Sequence, residues 1–96
     1  MEGSLLHDLA AKRASRWRRE EFGFEVLDGP ITDKPASWLV LSLNGVLGQL
    51  TLWVSGEAEM DWGTPEDGGE RHYDLGSSAE LERCVDDLEL QLRLLS

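Results

Sequence analysis

The 96-residue sequence has one cysteine, few basic residues and no long apolar run, and each shortage argues against a class of protein. A single cysteine, Cys84, cannot form an intrachain disulfide, which favours a reducing compartment. The most apolar stretch, WLVLSLNGVLGQLTLWV, is interrupted by Ser, Asn, Gly, Gln and Thr and does not predict a membrane span. The N-terminus lacks a basic segment followed by an apolar one, so no secretory signal is predicted. We therefore expect a cytoplasmic protein with no membrane partner.

The charge is strongly one-sided, with 19 acidic and 9 basic residues and a net charge of −10. Such a chain repels nucleic acid and is attracted to a basic protein surface. The run RASRWRRE places four arginines around Trp17. Nucleic-acid binding uses patches of this kind, but in so acidic a chain we favour a solvated helix face that Trp17 anchors to the core. The composition thus predicts a protein partner and no nucleic acid.

Helices are predicted at both ends of a single domain that spans residues 1–96. Residues 4–21 contain no Gly or Pro and predict the first helix. Ser77 and Glu80 have the spacing of a capping box, which predicts that the second helix occupies residues 77–95. The apolar residues of this second helix recur at helical spacing and form a full stripe: Leu81, Cys84, Val85, Leu88, Leu92 and Leu95.

The stretch between the helices, residues 22–75, predicts four or five antiparallel strands. Asn44-Gly45 is a strong signal for a two-residue hairpin turn, because both residues tolerate positive φ. That turn sets Leu39 opposite Leu50, so that apolar residues face each other across the two strands.

The outer parts of this region are less regular. Residues 22–28 predict either a short edge strand or part of the loop GPITDKP that follows them, residues 29–35. The stretch GTPEDGGE, residues 63–70, predicts another loop. The last strand is predicted at RHYDL, residues 71–75, with Tyr73 pointing inward.

A second hairpin at Ser55-Gly56 allows two registers. A two-residue loop would pair Leu52 with Glu59 and bury a carboxylate, at a cost of several kcal/mol, roughly. A three-residue loop that also includes Glu57 avoids this burial and has the glycine-bulge geometry common in such hairpins. We therefore predict this second register, which pairs Val54 with Ala58, Leu52 with Met60, Leu50 with Trp62, Trp53 with Glu59 and Thr51 with Asp61.

The element order predicts an α+β fold in which an antiparallel sheet of four or five strands carries both helices on one face. The leucine-bearing face of the sheet needs an apolar cover, and the two helices provide it most simply. The opposite face, here called the outer face, is then left open. Its predicted members are Trp38, Val40, Gln49, Thr51, Trp53, Glu59 and Asp61.

The sequence predicts no catalytic or metal-binding constellation. His7 and His72 do not have metal-ligand spacing with Cys84, and Cys84 lies on an apolar helix stripe, as expected of a core residue. Acids are so abundant that no pair stands out as a general acid and base. No phosphate-binding or nucleophile motif occurs. We expect no enzyme activity, no cofactor and no metal.

The outer face is the strongest candidate for a function. Tryptophan is favoured at the centre of protein interfaces, and the surrounding carboxylates would complement Arg and Lys of a partner. The alternative is that Trp38 and Trp53 pack on each other or lie under residues 29–35. The predicted partner-binding residues lie on this face and in the loop at 63–70: Trp38, Gln49, Thr51, Trp53, Glu57, Glu59, Asp61, Glu66 and Asp67.

The stretches LGQLTLWVSGEAEMDW and HYDLGSSAELE resemble the TriTu-type immunity proteins of bacterial polymorphic toxin systems. Those proteins have a similar GQ-x-T-x-W-x-SG strand pair, a late HY-x-L-x-S and a closing amphipathic helix. The resemblance covers roughly residues 36–95, and the loop GTPEDGGE departs from the family pattern. The motif maps here onto Gly48, Gln49, Thr51, Trp53, Gly56, His72 and Tyr73.

The resemblance implies an antitoxin that binds and blocks a cognate toxin domain. That toxin would be an ADP-ribosyltransferase, delivered by an Rhs or type VI secretion route, whose target is the translation factor Tu. An acidic face with a tryptophan anchor suits a basic nucleotide-binding cleft, so the two proteins would form a heterodimer that closes this cleft. Two other classes stay open: a small acidic secretion chaperone or adaptor that is an obligate dimer, and an enzyme or regulator that binds a small ligand between sheet and helices.

Overall fold

The computed structural model describes residues 4–30, 33, 35–64 and 66–96. Parts of the predicted domain and of its two loops, at positions 1–3, 31–32, 34 and 65, lie outside the described residues. In chain order the elements are α1 (Ser4–Arg19), β1 (Gly23–Asp28), β2 (Ala36–Leu43), β3 (Val46–Trp53), β4 (Glu57–Gly63), β5 (Gly68–Asp74) and α2 (Ser78–Leu95).

The five strands form one antiparallel sheet in the order β1-β2-β3-β4-β5. α1 packs on β1 and β2, while α2 packs on β2, β3 and β4. Buried residues of both helices join the inward residues of the strands in one core, so both helices cover the same face. The predicted α+β fold with two helices on one side of the sheet is therefore confirmed.

The structure shows that most of residues 22–28 form a strand and that the loop predicted at 63–70 is shorter than predicted. Residues 22–28, predicted as either strand or loop, contain β1, which pairs along its length with β2. β5 begins at Gly68, before the predicted start at residue 71, because the loop predicted at 63–70 is a tight turn between Gly63 and Gly68. The two glycines face each other across the last pair of strands, where a side chain would collide with backbone.

The first hairpin has the predicted turn and register. Asn44 and Gly45 both have positive φ, 49° and 81°, as the favoured two-residue turn requires. Leu39 lies opposite Leu50, and both are fully buried.

The register predicted for the second hairpin is wrong by two residues. The loop is Val54-Ser55-Gly56, and the Gly56 amide donates to the Trp53 carbonyl at 3.0 Å. Gly56 has a φ of 93°, and a three-residue hairpin loop needs its left-handed residue in the third position. The observed pairs are therefore Leu52 with Ala58, Leu50 with Met60, Gly48 with Trp62, Thr51 with Glu59 and Gln49 with Asp61. A shift of two residues returns every side chain to the predicted face.

The cap of α2 follows the prediction on one side only. The Glu80 amide donates to the Ser77 hydroxyl at 3.2 Å, as in a capping box. The Glu80 carboxylate, however, accepts from the Gly76 amide at 2.7 Å, one residue before the cap.

α1 ends at Arg19, two residues before the predicted end, in a left-handed cap. The Phe22 amide donates to the Trp17 carbonyl at 2.8 Å and the Glu21 amide donates to the Arg18 carbonyl at 3.2 Å. This is the Schellman pattern, whose left-handed residue is usually glycine. Here Glu21 occupies that position with a φ of 66°.

Replacing Glu21 by glycine is expected to stabilise the protein by about 0.5–1 kcal/mol, because a side chain in the left-handed region is strained while glycine is not. Urea unfolding of wild type and variant measures this difference. Glu21→Ala removes the same carboxylate but keeps Cβ, and should unfold at nearly the same urea concentration as wild type. Equal effects of the two substitutions would place the gain in charge removal and not in the backbone.

The solvated face predicted around Trp17 is confirmed in part: Trp17 is buried in the core, and Arg18 and Arg19 are exposed. Arg13 and Arg16 are instead half-buried against α2. Arg16 holds the Glu89 carboxylate of α2 at 2.7 and 3.0 Å, and Arg13 and Arg93 also contact it. Glu89 is only 2% exposed. Burial raises the pKa of Glu89, but the hydrogen bonds from Arg16 and Arg13 outweigh burial and hold it below its ordinary value. The basic run therefore joins the two helices, which argues against its use in nucleic-acid binding.

Candidate functional site

The outer face changes composition from one edge of the sheet to the other. The pairing of the strands aligns Leu27, Trp38, Thr51, Glu59 and His72 in one row across all five strands. The row begins with apolar side chains on β1 and β2 and ends with a carboxylate on β4 and an imidazole on β5. The next row also ends in carboxylates on β4 and β5 but has a carboxylate on β1 as well: Glu25, Val40, Gln49, Asp61 and Glu70.

The β4–β5 half of this face, here called the acidic half, carries five carboxylates: Glu57, Glu59, Asp61, Glu70 and Asp74. Two pairs of them lie directly opposite each other, Asp61 with Glu70 and Glu57 with Asp74. Like charges in directly opposed positions destabilise a sheet. The acidic half thus lowers the stability of the free protein. A cation bound there would reduce the repulsion between the opposed carboxylates.

The basic side chain that the described strands place within the acidic half is His72. Its Nδ1 atom lies 3.7 Å from a Glu59 oxygen, and its Nε2 atom lies 3.5 Å from an Asp74 oxygen. Arg71, the neighbouring residue, points to the opposite face, where it contacts Asp87 and the Trp62 ring. A single imidazole between five carboxylates leaves the acidic half strongly negative at neutral pH.

The two tryptophans of the outer face have different surroundings. Trp38 is half-buried, and its ring lies so close to Gly29 that a Cβ on that glycine would be 2.7 Å from it. Trp38 therefore lies against the start of the loop at residues 29–35, as one of the alternatives from the sequence proposed. Trp53 is half-buried at the end of β3, opposite Ala36. Both tryptophans therefore keep part of their side chains accessible on the outer face.

The predicted loop residues are separated from Trp53 by the length of β4. Thr64 organises the turn: its amide donates to the Asp67 carbonyl at 2.7 Å, and its hydroxyl accepts from the amides of Glu66 and Asp67. Glu66 and Asp67 are exposed in this turn, beyond Gly63. Since β4 runs from Glu57 beside Trp53 to Gly63, the turn lies about 20 Å from Trp53.

The structure places all the strand residues of the predicted set together on the outer face, with Glu66 and Asp67 at one end. It adds residues that the sequence-based selection missed: Leu27, Leu47, Glu70 and Asp74. Glu70 could not be selected because the stretch around it predicted a loop. Leu47 could have been found from the first hairpin alone, since that register puts it on the same face as Gln49.

The residues considered as nucleophiles or metal ligands lie in the core or in surface ion pairs. Cys84 is buried, and burial raises the pKa of its thiol to about 12, so it is a poor nucleophile. His7 lies on the surface, with Nε2 3.0 Å from Asp28. Within the described ranges, no three His, Cys, Asp or Glu side chains are placed to hold a metal ion. The absence of catalysis and of a cofactor stays a prediction.

The motif residues divide into two groups by position. Gly48 lies under α2, where a Cβ would be 2.7 Å from Leu88 Cδ1. Gly56 forms the second hairpin turn, and the Tyr73 hydroxyl donates to Asp87 of α2 at 2.6 Å. These three maintain the fold, whereas the remaining four lie on the outer face: Gln49, Thr51, Trp53 and His72.

Fold and site together define a small α+β protein with one open, acidic sheet face. The model of a known family, immunity protein TriTu, matches residues 4–89. This match spans most of the chain, so the chain belongs to the TriTu immunity protein family, and its role is to bind a cognate toxin. No curated protein and no solved structure matches it. Neither helix in the described ranges has the length and apolar composition needed to cross a membrane.

Proposed function

We propose that this immunity protein neutralises an ADP-ribosyltransferase toxin that acts on elongation factor Tu, by covering the toxin's nucleotide-binding cleft with the outer face. It would form a one-to-one heterodimer with the toxin in the cytoplasm, where a toxin delivered by an Rhs or type VI route would arrive. The resemblance of the two motif stretches supports this choice of toxin. The proposal for the surface is supported by the charge and composition of the outer face.

The observation that carries the proposal is the acidic half beside Trp53. A cleft that binds a dinucleotide must attract phosphates, and it does so with basic side chains and backbone amides. Carboxylates at the positions of Glu59 and Asp61 would compete for the same groups. Trp53 would add a large rigid contact at one end of this negative surface.

Inhibition by this route requires occupancy and no chemical step. The inhibitor needs a slow dissociation rate to keep the cleft closed and a fast association rate to reach the toxin first. A negative surface accelerates the encounter with a basic cleft, and a buried aromatic contact slows dissociation. The outer face supplies one element for each requirement.

Replacing Trp53 by alanine is expected to weaken toxin binding by about 2 kcal/mol, close to 30-fold, because a buried aromatic anchor is lost. The test is to co-express the chain with the protein encoded immediately upstream and to ask whether a toxin domain co-purifies with it. Affinity for a catalytically inactive form of that toxin is then measured by calorimetry. Circular dichroism and thermal unfolding would show whether the variant still folds.

The matched control is Leu94→Ala, which truncates a 69% exposed side chain on α2, away from the outer face. It should bind the toxin like wild type. If Trp53→Ala unfolds, Trp53 is a core residue and its assignment to the interface is wrong. If Leu94→Ala weakens binding more than Trp53→Ala, the toxin contacts the helices and the outer face is not the interface.

A secretion chaperone, the alternative from sequence, would need a broad apolar surface for obligate dimerisation. The exposed large apolar residues of the described ranges are instead dispersed: Leu27 and Leu47 on the outer face, Val54 in a hairpin turn, Leu90 and Leu94 on α2. Size-exclusion chromatography of the free chain distinguishes the two roles, since the chaperone role requires a homodimer and the immunity role does not.

A further inference from the structure

The outer face contains a shallow depression where β3 begins and β4 ends. The last row of the face there is Gly23, Ser42, Leu47, Gly63 and Gly68, so three of the five strands contribute no side chain to it. A Cβ at Gly63 would lie 2.6 Å from the Asp67 carbonyl, and one at Gly68 would lie 2.5 Å from the Trp62 carbonyl. Close approach of the two strands therefore excludes side chains at these positions and leaves the surface low.

This depression has a volume of about 270 Å³ and is mostly apolar. Leu47 and Val40 form its apolar wall, and Gln49 and Asp61 form its polar rim. Leu47 is 60% exposed, so its side chain is accessible to a partner. Gly48 and Trp62 belong to the helix-covered face by their register, so they contribute backbone to the floor.

A second depression of about 260 Å³ adjoins the first on the acidic half. Its outer-face lining consists of Glu59, Asp61, Glu70 and His72. Asp61 lines both depressions, so an apolar position and an anionic position lie one side chain apart. Each volume is below the roughly 300–1,000 Å³ of sites for small-molecule ligands. Each exceeds the roughly 150 Å³ of a cavity that holds a benzene ring, which is the size of a single side chain.

We propose that these two depressions bind one segment of the toxin that carries an apolar side chain beside an arginine or lysine. The apolar side chain contacts Leu47 and Val40, and the cation lies against Asp61 and Glu70. This inference rests on the proposed use of the outer face for toxin binding and identifies the part of the face that selects the partner. Charge complementarity is the reason for expecting an arginine or lysine in this toxin segment. The opposed carboxylates Asp61 and Glu70 repel each other until a cation lies between them.

Two leucines on the same face provide a matched comparison. Leu47→Ala removes the wall of the depression and is expected to weaken binding of the purified toxin domain at least tenfold. Leu27→Ala makes the same truncation at the 43% exposed leucine of β1, on the far side of the face, and should change affinity less than threefold. Both side chains are exposed, so both variants should fold. Equal effects of the two truncations would overturn the inference.

A double-mutant cycle tests whether one toxin segment contacts both depressions. If it does, Asp61→Asn and Leu47→Ala are coupled, and the double variant binds more tightly than the product of the two single losses predicts. Asp61→Asn and Leu27→Ala should combine without coupling. If the effects of the Asp61 and Leu47 substitutions are independent, the inference that one toxin segment contacts both depressions is wrong.

The same measurements separate this inference from the proposed function. If Trp53→Ala weakens binding while Leu47→Ala does not, the outer face is still the interface, and the depression is not part of it. If neither affects binding and Leu94→Ala does, both the proposed surface and the depression are excluded.

Discussion

Replacing Glu89 by glutamine is expected to lower the free energy of unfolding by about 3 kcal/mol, which is a large fraction of the stability of a domain of this size. Glu89 is buried between three arginines, and its removal leaves their guanidinium groups facing a neutral amide. The expected loss is at the lower end for a broken buried ion pair, because Arg13 keeps Asp86 at 2.8 Å and Arg16 keeps Glu20 at 2.9 Å. Thermal or urea unfolding measures it.

The control for this prediction is Glu82→Gln on the same helix. Glu82 contacts the same Arg13, at 3.5 Å, but its side chain is 44% exposed. An exposed ion pair contributes about 0–1 kcal/mol, so the control should unfold almost like wild type. If both substitutions have the same effect, the buried position of Glu89 contributes nothing and the network is no stronger than a surface pair.

The network also determines how this contribution depends on pH. The folded-state pKa of Glu89 lies below its ordinary value of 4.5, so the unfolded chain binds the proton more readily. The contribution is therefore complete above about pH 5 and is lost as the pH falls through the folded pKa. Over that acid range wild type should lose more stability than Glu89→Gln, and parallel curves would contradict the shifted pKa.

Glu89 also illustrates what the sequence could not predict. Helical spacing places it beside the apolar stripe of α2, where a glutamate is ordinarily solvated. Its burial depends on Arg13 and Arg16, which are 76 and 73 residues away, and on the side-by-side placement of α1 and α2 on the sheet. Nothing in the local pattern of either helix encodes that pairing. The arginine-rich run therefore resembled a free basic face.

The outer face was more predictable because strand alternation has a period of two. The register predicted for the second hairpin was wrong by two residues, so the observed partner of Thr51 is Glu59 and not Asp61. A shift of two residues nevertheless leaves every side chain on its predicted face. The extent of the acidic half was missed for a different reason. Gly68 and Gly69 precede Glu70 and predict a loop, whereas the tight approach of β4 and β5 requires glycine at the strand end.

Neutralising the acidic half is expected to slow toxin association by about tenfold or more at low salt, because electrostatic steering is lost. The variant is Asp61→Asn/Glu70→Gln, which removes one directly opposed pair. The same variant should make the free protein more stable, by roughly 0.2–1 kcal/mol, because the repulsion within the pair disappears. Stopped-flow association with the toxin domain at two salt concentrations, and urea unfolding of the free chain, measure the two effects.

A variant that associates more slowly with the toxin but is more stable on its own would identify the acidic half as a surface for partner binding. A charge cluster that only aids solubility would give a small change in both measurements. The control Asp8→Asn/Glu82→Gln removes the same charge from the helix layer. It should leave the association rate within about twofold at about 0.1 M salt, since exposed charges beyond the Debye length of about 10 Å at that ionic strength are screened. If the control slows association equally, net charge and not the face guides the encounter. If only dissociation changes in the Asp61/Glu70 variant, these carboxylates act as contacts after docking and the steering role is wrong.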